Sequence, residues 1–241
     1  VDRGDIFGLK STELVGTAND DGAIVTTTWA TDCPSFSFLD SLALTTTVSV
    51  AGGTEPTTCS VTLTATGSCG GSTSGTAEVA IVDPTAGFIT GGGRIASPVG
   101  ALVGAPSENG QATFSFVSKY KKNRSLPEGN VNFVIKGSAA RFHFQSRSHA
   151  WLIVNKSDCA QLKGEGTVRN TAGTFEFVMT VCDNGEGKNA DDEFRIQIWD
   201  KSNGAIVYDN MMGAPDGYNG DIISGGNIQI HFKGNKKNLR A

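Results

Sequence analysis

The chain has 241 residues and a formal net charge of −4, and its length accommodates one large or two ordinary domains. Only 38% of the residues are hydrophobic, but they come in short runs rich in Val, Ile, Phe and Thr, which excludes disorder of the whole chain. No stretch approaches the roughly 18 apolar residues of a membrane-spanning helix, and the chain does not open on a signal-peptide pattern, so we expect a soluble, mature or trimmed chain without a membrane span.

The first third of the chain is rich in threonine, with sixteen Thr between Thr17 and Thr76. Thr and Val favour half-buried, pleated surfaces, so these residues are typical of an antiparallel β domain. Strands are predicted over residues 23–28, 45–50, 59–66 and 75–82. A turn pattern at residues 83–87 then predicts a linker over 84–87 and a second domain from residue 88 to residue 241.

The second part alternates apolar and polar residues with the period of a β-strand, which directs one residue type to each face. Polar turns separate these segments, and no helical period is present, so little helix is expected. We therefore predict an all-β protein of two antiparallel β-sandwich domains. The alternating segments are residues 112–116, 132–135, 141–144, 174–177, 193–198 and 227–232.

Charge differs between the two parts of the chain. Up to Thr90 there are ten acidic residues against two basic ones, and no Lys or Arg occurs from Ser11 to Gly93. Such an asymmetry favours two domains and head-to-tail contacts between copies. The basic residues of the second part carry no nucleic-acid recognition motif, so no nucleic-acid partner is expected. They cluster at Lys119, Lys121, Lys122 and Arg124 and at Lys233, Lys236, Lys237 and Arg240.

Two resemblances to known families follow from particular segments. Residues 17–29, 59–66 and 75–82 resemble the PKD-type immunoglobulin-like repeats of microbial surface proteins, over about residues 10–83, with Trp29 as the core tryptophan. The residues after Trp29 depart from the family pattern. Residues 88–93, 114–122, 194–201, 206–210 and 225–231 are similar to a Gly-rich C-terminal β domain of secreted bacterial surface proteins. These resemblances imply an extracellular or cell-surface location and no established activity.

Five cysteines stand at positions 33, 59, 69, 159 and 182. The immunoglobulin-like resemblance implies a Cys33–Cys59 disulfide, with Cys33–Cys69 open as the alternative. Cys159 and Cys182 flank a predicted hairpin and fall opposite each other, so a cross-strand disulfide is expected. Cys69 is then free or intermolecular. The competing interpretation is a reduced cytosolic protein with five buried thiols.

Residues with catalytic or metal-binding chemistry form no recognised motif. The three histidines accompany no nucleophile signature, so we expect no catalytic residues, no cofactor and no enzyme activity. His143 and His231 fall at the polar phase of their strands, which indicates solvated side chains. Asp183, Glu186 and Asp191 are candidate calcium ligands in a Gly-rich loop, although a plain polar hairpin loop is the favoured interpretation.

The start of the first domain is short, because only nineteen residues precede Asp20. Either the chain is a fragment of a longer multidomain protein, or a neighbouring copy completes the missing sheet edge. In the second interpretation residues 1–9 are an extended segment and candidate donor strand, whose Ile6 and Phe7 insert into the sheet edge of an adjacent copy. The predicted function is a non-catalytic subunit of an extracellular filament or surface assembly, a homopolymer held by strand addition. The alternative is an adhesion or carbohydrate-binding module, with surface glycans as partners, at the C-terminal end of a larger secreted protein.

Overall fold

The computed structural model of the chain describes residues 6–7, 11–19, 23–52, 54–122, 124–136, 141–155, 158–185, 191–214 and 220–232. These residues form β-strands, turns and bends, and no helix occurs among them, so the predicted all-β sandwich fold is confirmed. In this part of the chain there is accordingly no helix long and apolar enough to cross a bilayer. The chain divides into two compact units, of which one ends at Asp83 and the other begins at Pro84.

The first unit consists of two small sheets. One has the strand order β1-β7-β6-β3 and the other the order β2-β5-β4. All neighbours are antiparallel except β1 and β7, which run parallel. The strands are β1 (Ile6–Phe7), β2 (Ser11–Val15), β3 (Ile24–Thr31), β4 (Phe36–Phe38), β5 (Thr45–Val50), β6 (Thr57–Gly67) and β7 (Ser72–Val82).

Trp29 is central to the core between these sheets. Its side chain is only 3% exposed, it lies near the ring of Phe38, and its indole N–H donates a hydrogen bond of 2.8 Å to the carbonyl of Ala43. A buried indole needs such a partner for its N–H group. The other core residues come from alternate positions of the Thr-rich strands, so each strand needs only a few bulky side chains to fill the core. They include Leu14, Val48, Val61, Leu63, Val79 and Ile81.

The second unit is built on one antiparallel sheet in which most strands neighbour the next strand along the chain. The order is β15-β14-β13-β12-β11-β10-β9-β8-β17, and β16 also pairs with β14. The strands are β8 (Gly87–Ser97), β9 (Gly110–Tyr120), β10 (Pro127–Ile135), β11 (Phe142–Val154), β12 (Cys159–Val168), β13 (Phe175–Cys182), β14 (Glu193–Asp200), β15 (Ile206–Asp209), β16 (Asp221–Ile222) and β17 (Gly225–Phe232).

This sheet folds over on itself and encloses the core between two layers. Phe114 of β9 stacks on Phe194 of β14 with 3.9 Å between ring centroids, and Phe133 of β10 lies 4.8 Å from Tyr208 of β15. Aromatic pairs at these distances add to the hydrophobic stabilisation of burial. The alternating segments predicted from the sequence therefore supply facing aromatic side chains from both layers.

The glycine run of β8 leaves room for the aromatic rings of Phe114 and Phe116. A Cβ atom on Gly91 would lie 2.6 Å from the ring of Phe116, and one on Gly93 would lie 3.0 Å from the ring of Phe114. Side chains at these positions would displace the aromatic core, because interiors are close-packed. Gly91 to Gly93 thus serve strand packing.

Candidate functional site

The N-terminal strand β1 lies on the outer edge of β7. The two strands run parallel, with Ile6 opposite Ile81 and Phe7 opposite Val82. From the sequence we expected Ile6 and Phe7 to pair with an adjacent copy, and within this single chain they pair with their own β7. The other residues of the predicted donor segment 1–9 lie outside the described residues.

Among the described residues, β1 is the only strand that pairs with the outer edge of β7. Between Ser72 and Ala77 no strand of the described chain lies beside it, because β1 pairs only at Ile81 and Val82. On its inner side β7 is held to β6 by main-chain pairing and by the hydroxyl contact of Thr62 and Thr76 at 3.0 Å. An exposed strand edge of this kind presents N–H and C=O groups to which a further strand can bind.

Two disulfides are present, and they join the pairs anticipated from the sequence. Cys33 is bonded to Cys59, and Cys159 is bonded to Cys182, which lies opposite it on the neighbouring strand. Cys69 is a free, exposed cysteine. Because disulfides form and persist in oxidising environments, the two bonds indicate an oxidising compartment.

Asp32, Cys33 and Cys59 bring three potential ligand atoms within 4.8 Å of one another. Both sulfur atoms are consumed by the disulfide, whereas metal ions bind the thiolate. The Asp32 carboxylate accepts a hydrogen bond of 2.8 Å from the main-chain N–H of Ser60. This cluster therefore fastens the end of β3 to β6 and does not form a metal centre.

The candidate calcium loop contains carboxylates with structural partners. Asp183 is buried and accepts a 3.0 Å hydrogen bond from the N–H of Ile230. Asp191 is exposed, and Glu186 lies outside the described residues. The sequence did not single out the neighbouring Asp192, yet it is almost fully buried and accepts a 2.8 Å hydrogen bond from the N–H of Ile228.

Asp183 and Asp192 thus act together on the free edge of β17. Buried N–H groups at a strand edge are costly without an acceptor, and these two carboxylates supply one to alternate residues of β17. They tie β17 to the end of β13 and the start of β14, although these strands lie far from β17 in the strand order of the sheet. The geometry gives Asp183 a structural role, and calcium binding by this loop stays a prediction.

The three histidines occupy different environments. His143 is half-buried, and its Nε2 lies 2.6 Å from Oδ1 of Asn132. His231 is half-buried and stacks on Phe88 with 4.1 Å between ring centroids. These two were expected to be solvated, and each has in addition a side-chain contact across to a neighbouring strand.

His149 is buried between two serines, in the bulged part of β11. Its Nδ1 lies 2.9 Å from Oγ of Ser118 and its Nε2 lies 3.3 Å from Oγ of Ser146. Burial lowers the pKa of His149 to about 4, so the ring is neutral at pH 7. Ser118 is fully buried, which places its hydroxyl out of reach of a substrate. The pair is therefore a structural hydrogen bond and not an activated nucleophile.

Acidification should destabilise the second unit through His149. The folded-state pKa of about 4 lies below the unfolded value of 6.5, so the unfolded state binds more protons between these pH values. The stabilisation is complete above pH 6.5 and is lost as the pH falls towards 4, by about 3 kcal/mol in total. Urea unfolding at pH 7, 5.5 and 4 measures this loss.

A matched pair of variants separates His149 from the other titrating groups. His149→Gln keeps two hydrogen-bonding groups without a titrating ring and should flatten the pH dependence. His143→Gln, on the same strand, should keep it. An unchanged pH dependence in His149→Gln would show that this imidazole is not the group responsible.

A buried ion pair is a feature that the sequence patterning missed. Arg195 falls at the polar phase of β14 and was expected to face solvent, but it is 3% exposed. Its Nη2 lies 3.1 Å from Oδ2 of Asp209, which is 1% exposed, and Nη2 also donates to the carbonyl of Ala214 at 3.1 Å. Asn210 accepts a 2.9 Å hydrogen bond from the N–H of Ile196. This network holds β15 and the following turn against β14.

A cationic cleft opens where β10, β11 and β12 end side by side. Lys136 follows β10, Arg141 precedes β11 and Arg169 follows β12, and the N–H of Arg169 donates a 2.9 Å hydrogen bond to the carbonyl of His143. The cleft has a volume of about 480 Å³. Its lining residues are Val134, Ile135, Lys136, Arg141, Phe142, His143, Arg169 and Asn170.

The basic clusters singled out from the sequence lie elsewhere. In the first of them, Lys121 and Arg124 form ion pairs with Glu128. Residues 233–241, which contain the second, lie outside the described residues. The cations of the cleft are separated by up to 33 positions in the chain, from Lys136 to Arg169, so no local pattern marks them as one group.

Comparison of this chain with protein-family models, with curated proteins and with solved structures gives no match. The resemblances to PKD-type repeats and to a Gly-rich bacterial domain therefore stay predictions. The geometry of the two units carries the functional argument.

Proposed function

We propose that the protein is a non-catalytic structural subunit of an extracellular assembly whose copies are joined by β-strand addition. The observation that carries the proposal is β1, which among the described residues pairs in parallel with the end of β7 at Ile6 and Phe7. An N-terminal segment that adds to the edge of a sheet can exchange between identical chains, since the same register forms equally well with the β7 of another copy.

The edge of β7 supports this proposal. Between Ser72 and Ala77 no strand of the described chain pairs with this edge, and a longer added strand would pair there. Main-chain hydrogen bonds would provide affinity, and the fully buried Ile81 and Val82 mark the position at which the added strand enters register. Contacts made in this way between unlike surfaces extend into a fibre unless they close into a ring.

Two further observations favour a structural role. The two disulfides are those of a protein that works in an oxidising compartment. Of the three histidines, His149 is buried against two serines, and the other two make contacts across to neighbouring strands. None of these arrangements holds the nucleophile and base of a hydrolase within reach of a substrate.

Deleting residues 1–9 should abolish assembly and leave a folded monomer, because the donor strand is removed while both cores remain. Deletion of residues 233–241 removes the same number of residues from the other end and serves as the control. Negative-stain microscopy and light scattering over a concentration series measure polymer formation, and a peptide of residues 1–9 added to the intact protein should inhibit it.

Strand donation is wrong if the truncated chain polymerises as readily as the intact one. An intact protein that stays monomeric at every concentration would contradict the structural role itself.

A further inference from the structure

We propose that the cationic cleft at the ends of β10, β11 and β12 binds a carboxylate-bearing saccharide, such as a uronic acid unit of an acidic polysaccharide. This inference concerns the second unit alone and does not rest on strand addition by the first. It assigns a ligand class to the residues that converge there: Lys136, Arg141, His143 and Arg169.

The charge of the cleft favours an anionic ligand. Lys136, Arg141 and Arg169 are exposed, and no ion pair of any of the three occurs within the described part of the chain. Two other exposed cations of the same unit, Lys201 and Lys121, form ion pairs with Glu165 and Glu128. Among the described residues that line the cleft, none is acidic. Three uncompensated cations around one concavity attract an anion and hold it by charge-assisted hydrogen bonds.

The cleft is large enough for a sugar unit. A volume of about 480 Å³ lies within the range of small-ligand sites, roughly 300 to 1,000 Å³. Of its apolar lining residues, Val134 is half-buried, whereas Ile135 and Phe142 are almost fully buried in the core. A simple inorganic anion would leave much of this volume unfilled, whereas a pyranose ring can fill it and pack its C–H groups against Val134 while the carboxylate contacts the cations.

His143 and Asn170 add neutral hydrogen-bonding groups. The Nε2 of His143 lies 2.6 Å from Oδ1 of Asn132, so this nitrogen carries the proton and donates it to the amide oxygen. In the neutral ring Nδ1 is then an acceptor for a sugar hydroxyl. Asn170, held at a positive φ of 60° in the turn after β12, adds an amide side chain that both donates and accepts. Alternating charged and neutral groups suit a ligand that carries one carboxylate and several hydroxyls.

Nucleic acid fits the cleft less well. Binding to a phosphate backbone draws on an extended basic surface that displaces counterions over many phosphates. Three cations in one concavity match a single acidic sugar unit or a short run of them. Acidic polysaccharides occur at cell surfaces, and cell-surface proteins are among those that keep disulfides.

The test is calorimetric titration of the full chain with two uronic acid oligomers, tri-galacturonate and tri-guluronate, and with neutral galactotriose as the uncharged counterpart. We expect saturable binding of at least one uronic oligomer, weaker binding at higher salt, and no binding of galactotriose. Inorganic phosphate and sulfate are titrated in parallel, and both should bind at least tenfold more weakly than the uronic oligomer.

Variants locate the site. The double variant Arg141→Gln/Arg169→Gln should weaken uronic acid binding at least tenfold. The double variant Lys119→Gln/Arg147→Gln removes the same charge from exposed positions outside the cleft and should change the affinity less than twofold. All four positions are exposed, so thermal unfolding should show that both variants fold like the parent protein.

The proposal is overturned if neither uronic oligomer binds, or if galactotriose binds as tightly. Equal loss of binding in both double variants would show a general charge effect in place of a site, and phosphate or sulfate binding as tight as that of the sugar would show a simple anion site. If Arg141→Gln/Arg169→Gln reduces self-association and leaves uronic acid binding intact, the cleft is a contact between copies.

Discussion

Replacing Arg195 by Met should lower the free energy of unfolding of the second unit by about 3 to 5 kcal/mol. Asp209 would then be a buried carboxylate, 1% exposed, without the guanidinium that now lies 3.1 Å from it. The carbonyl of Ala214 would lose its donor as well. Desolvating an uncompensated charge is far more costly than losing an exposed ion pair, so the effect should be among the largest of any single substitution in this protein.

Two further variants test the physical reason. Arg195→Met/Asp209→Asn removes the stranded charge and keeps one of the two acceptor oxygens, for the N–H of Met211, so it should recover at least half of the lost stability. Lys201→Met breaks the exposed pair with Glu165 and should leave the free energy of unfolding almost unchanged, because solvent screens such a pair.

Urea unfolding followed by hydrogen exchange and mass spectrometry reads each unit separately. Peptides from β13 to β15 should lose protection in Arg195→Met, while peptides from β3 and β6 of the first unit serve as the internal reference. A loss below 1 kcal/mol in Arg195→Met would mean that Asp209 finds other partners or takes up a proton.

Gly226→Ala should destabilise the second unit by several kcal/mol. Gly226 has a φ of 115°, which L side chains rarely adopt, and a Cβ atom there would lie 2.2 Å from the carbonyl oxygen of Gly92. Backbone strain of this kind costs about 1 to 3 kcal/mol, and the clash with the main chain of β8 adds to it. Because the neighbouring atoms belong to backbone, β17 would have to move away from β8 to relieve the contact.

Gly104→Ala is the matched control in the same unit. A Cβ atom on Gly104 meets nothing within 4 Å, so the substitution should leave stability unchanged or raise it slightly. Thermal unfolding and hydrogen exchange of β8 and β17 peptides compare the two variants. Equal stabilities of Gly226→Ala and Gly104→Ala would show that the β8–β17 pairing has more freedom than its geometry indicates.

Local patterns identified the strands and much of the core. Alternation placed Phe114 and Phe116 on one face of β9 and Phe133 on the inner face of β10, and all three are buried in the structure. A side chain on a regular strand points to a face that depends only on its parity in the sequence, so this information is local. The Cys159–Cys182 disulfide follows from the same register, because the two residues lie opposite each other on one hairpin.

The alternation predicts on which face of the sheet a side chain lies, but it does not predict whether another part of the chain covers that face. Arg195 shares its parity with solvent-facing positions of β14, yet β15 and the turn after it bury the side chain with Asp209. In the sequence, Asp183 and Asp192 likewise look like carboxylates of a loop. The folded structure shows that they accept hydrogen bonds from N–H groups of β17, which lies beside the ends of β13 and β14.

The sequence alone therefore determined the all-β class, the strand periodicity and the Cys159–Cys182 disulfide, since these depend on neighbours along the chain or on one hairpin. The Cys33–Cys59 disulfide was implied only by the immunoglobulin-like resemblance, with Cys33–Cys69 as the alternative. Only the tertiary structure decided which polar residues are buried, that β1 lies on β7 within one chain, and that Lys136, Arg141 and Arg169 meet in a cleft. These features depend on strands that are distant in sequence and adjacent in the folded sheet. A charge pattern along the chain does not predict which strand ends are adjacent, because the order and curvature of the sheet determine this.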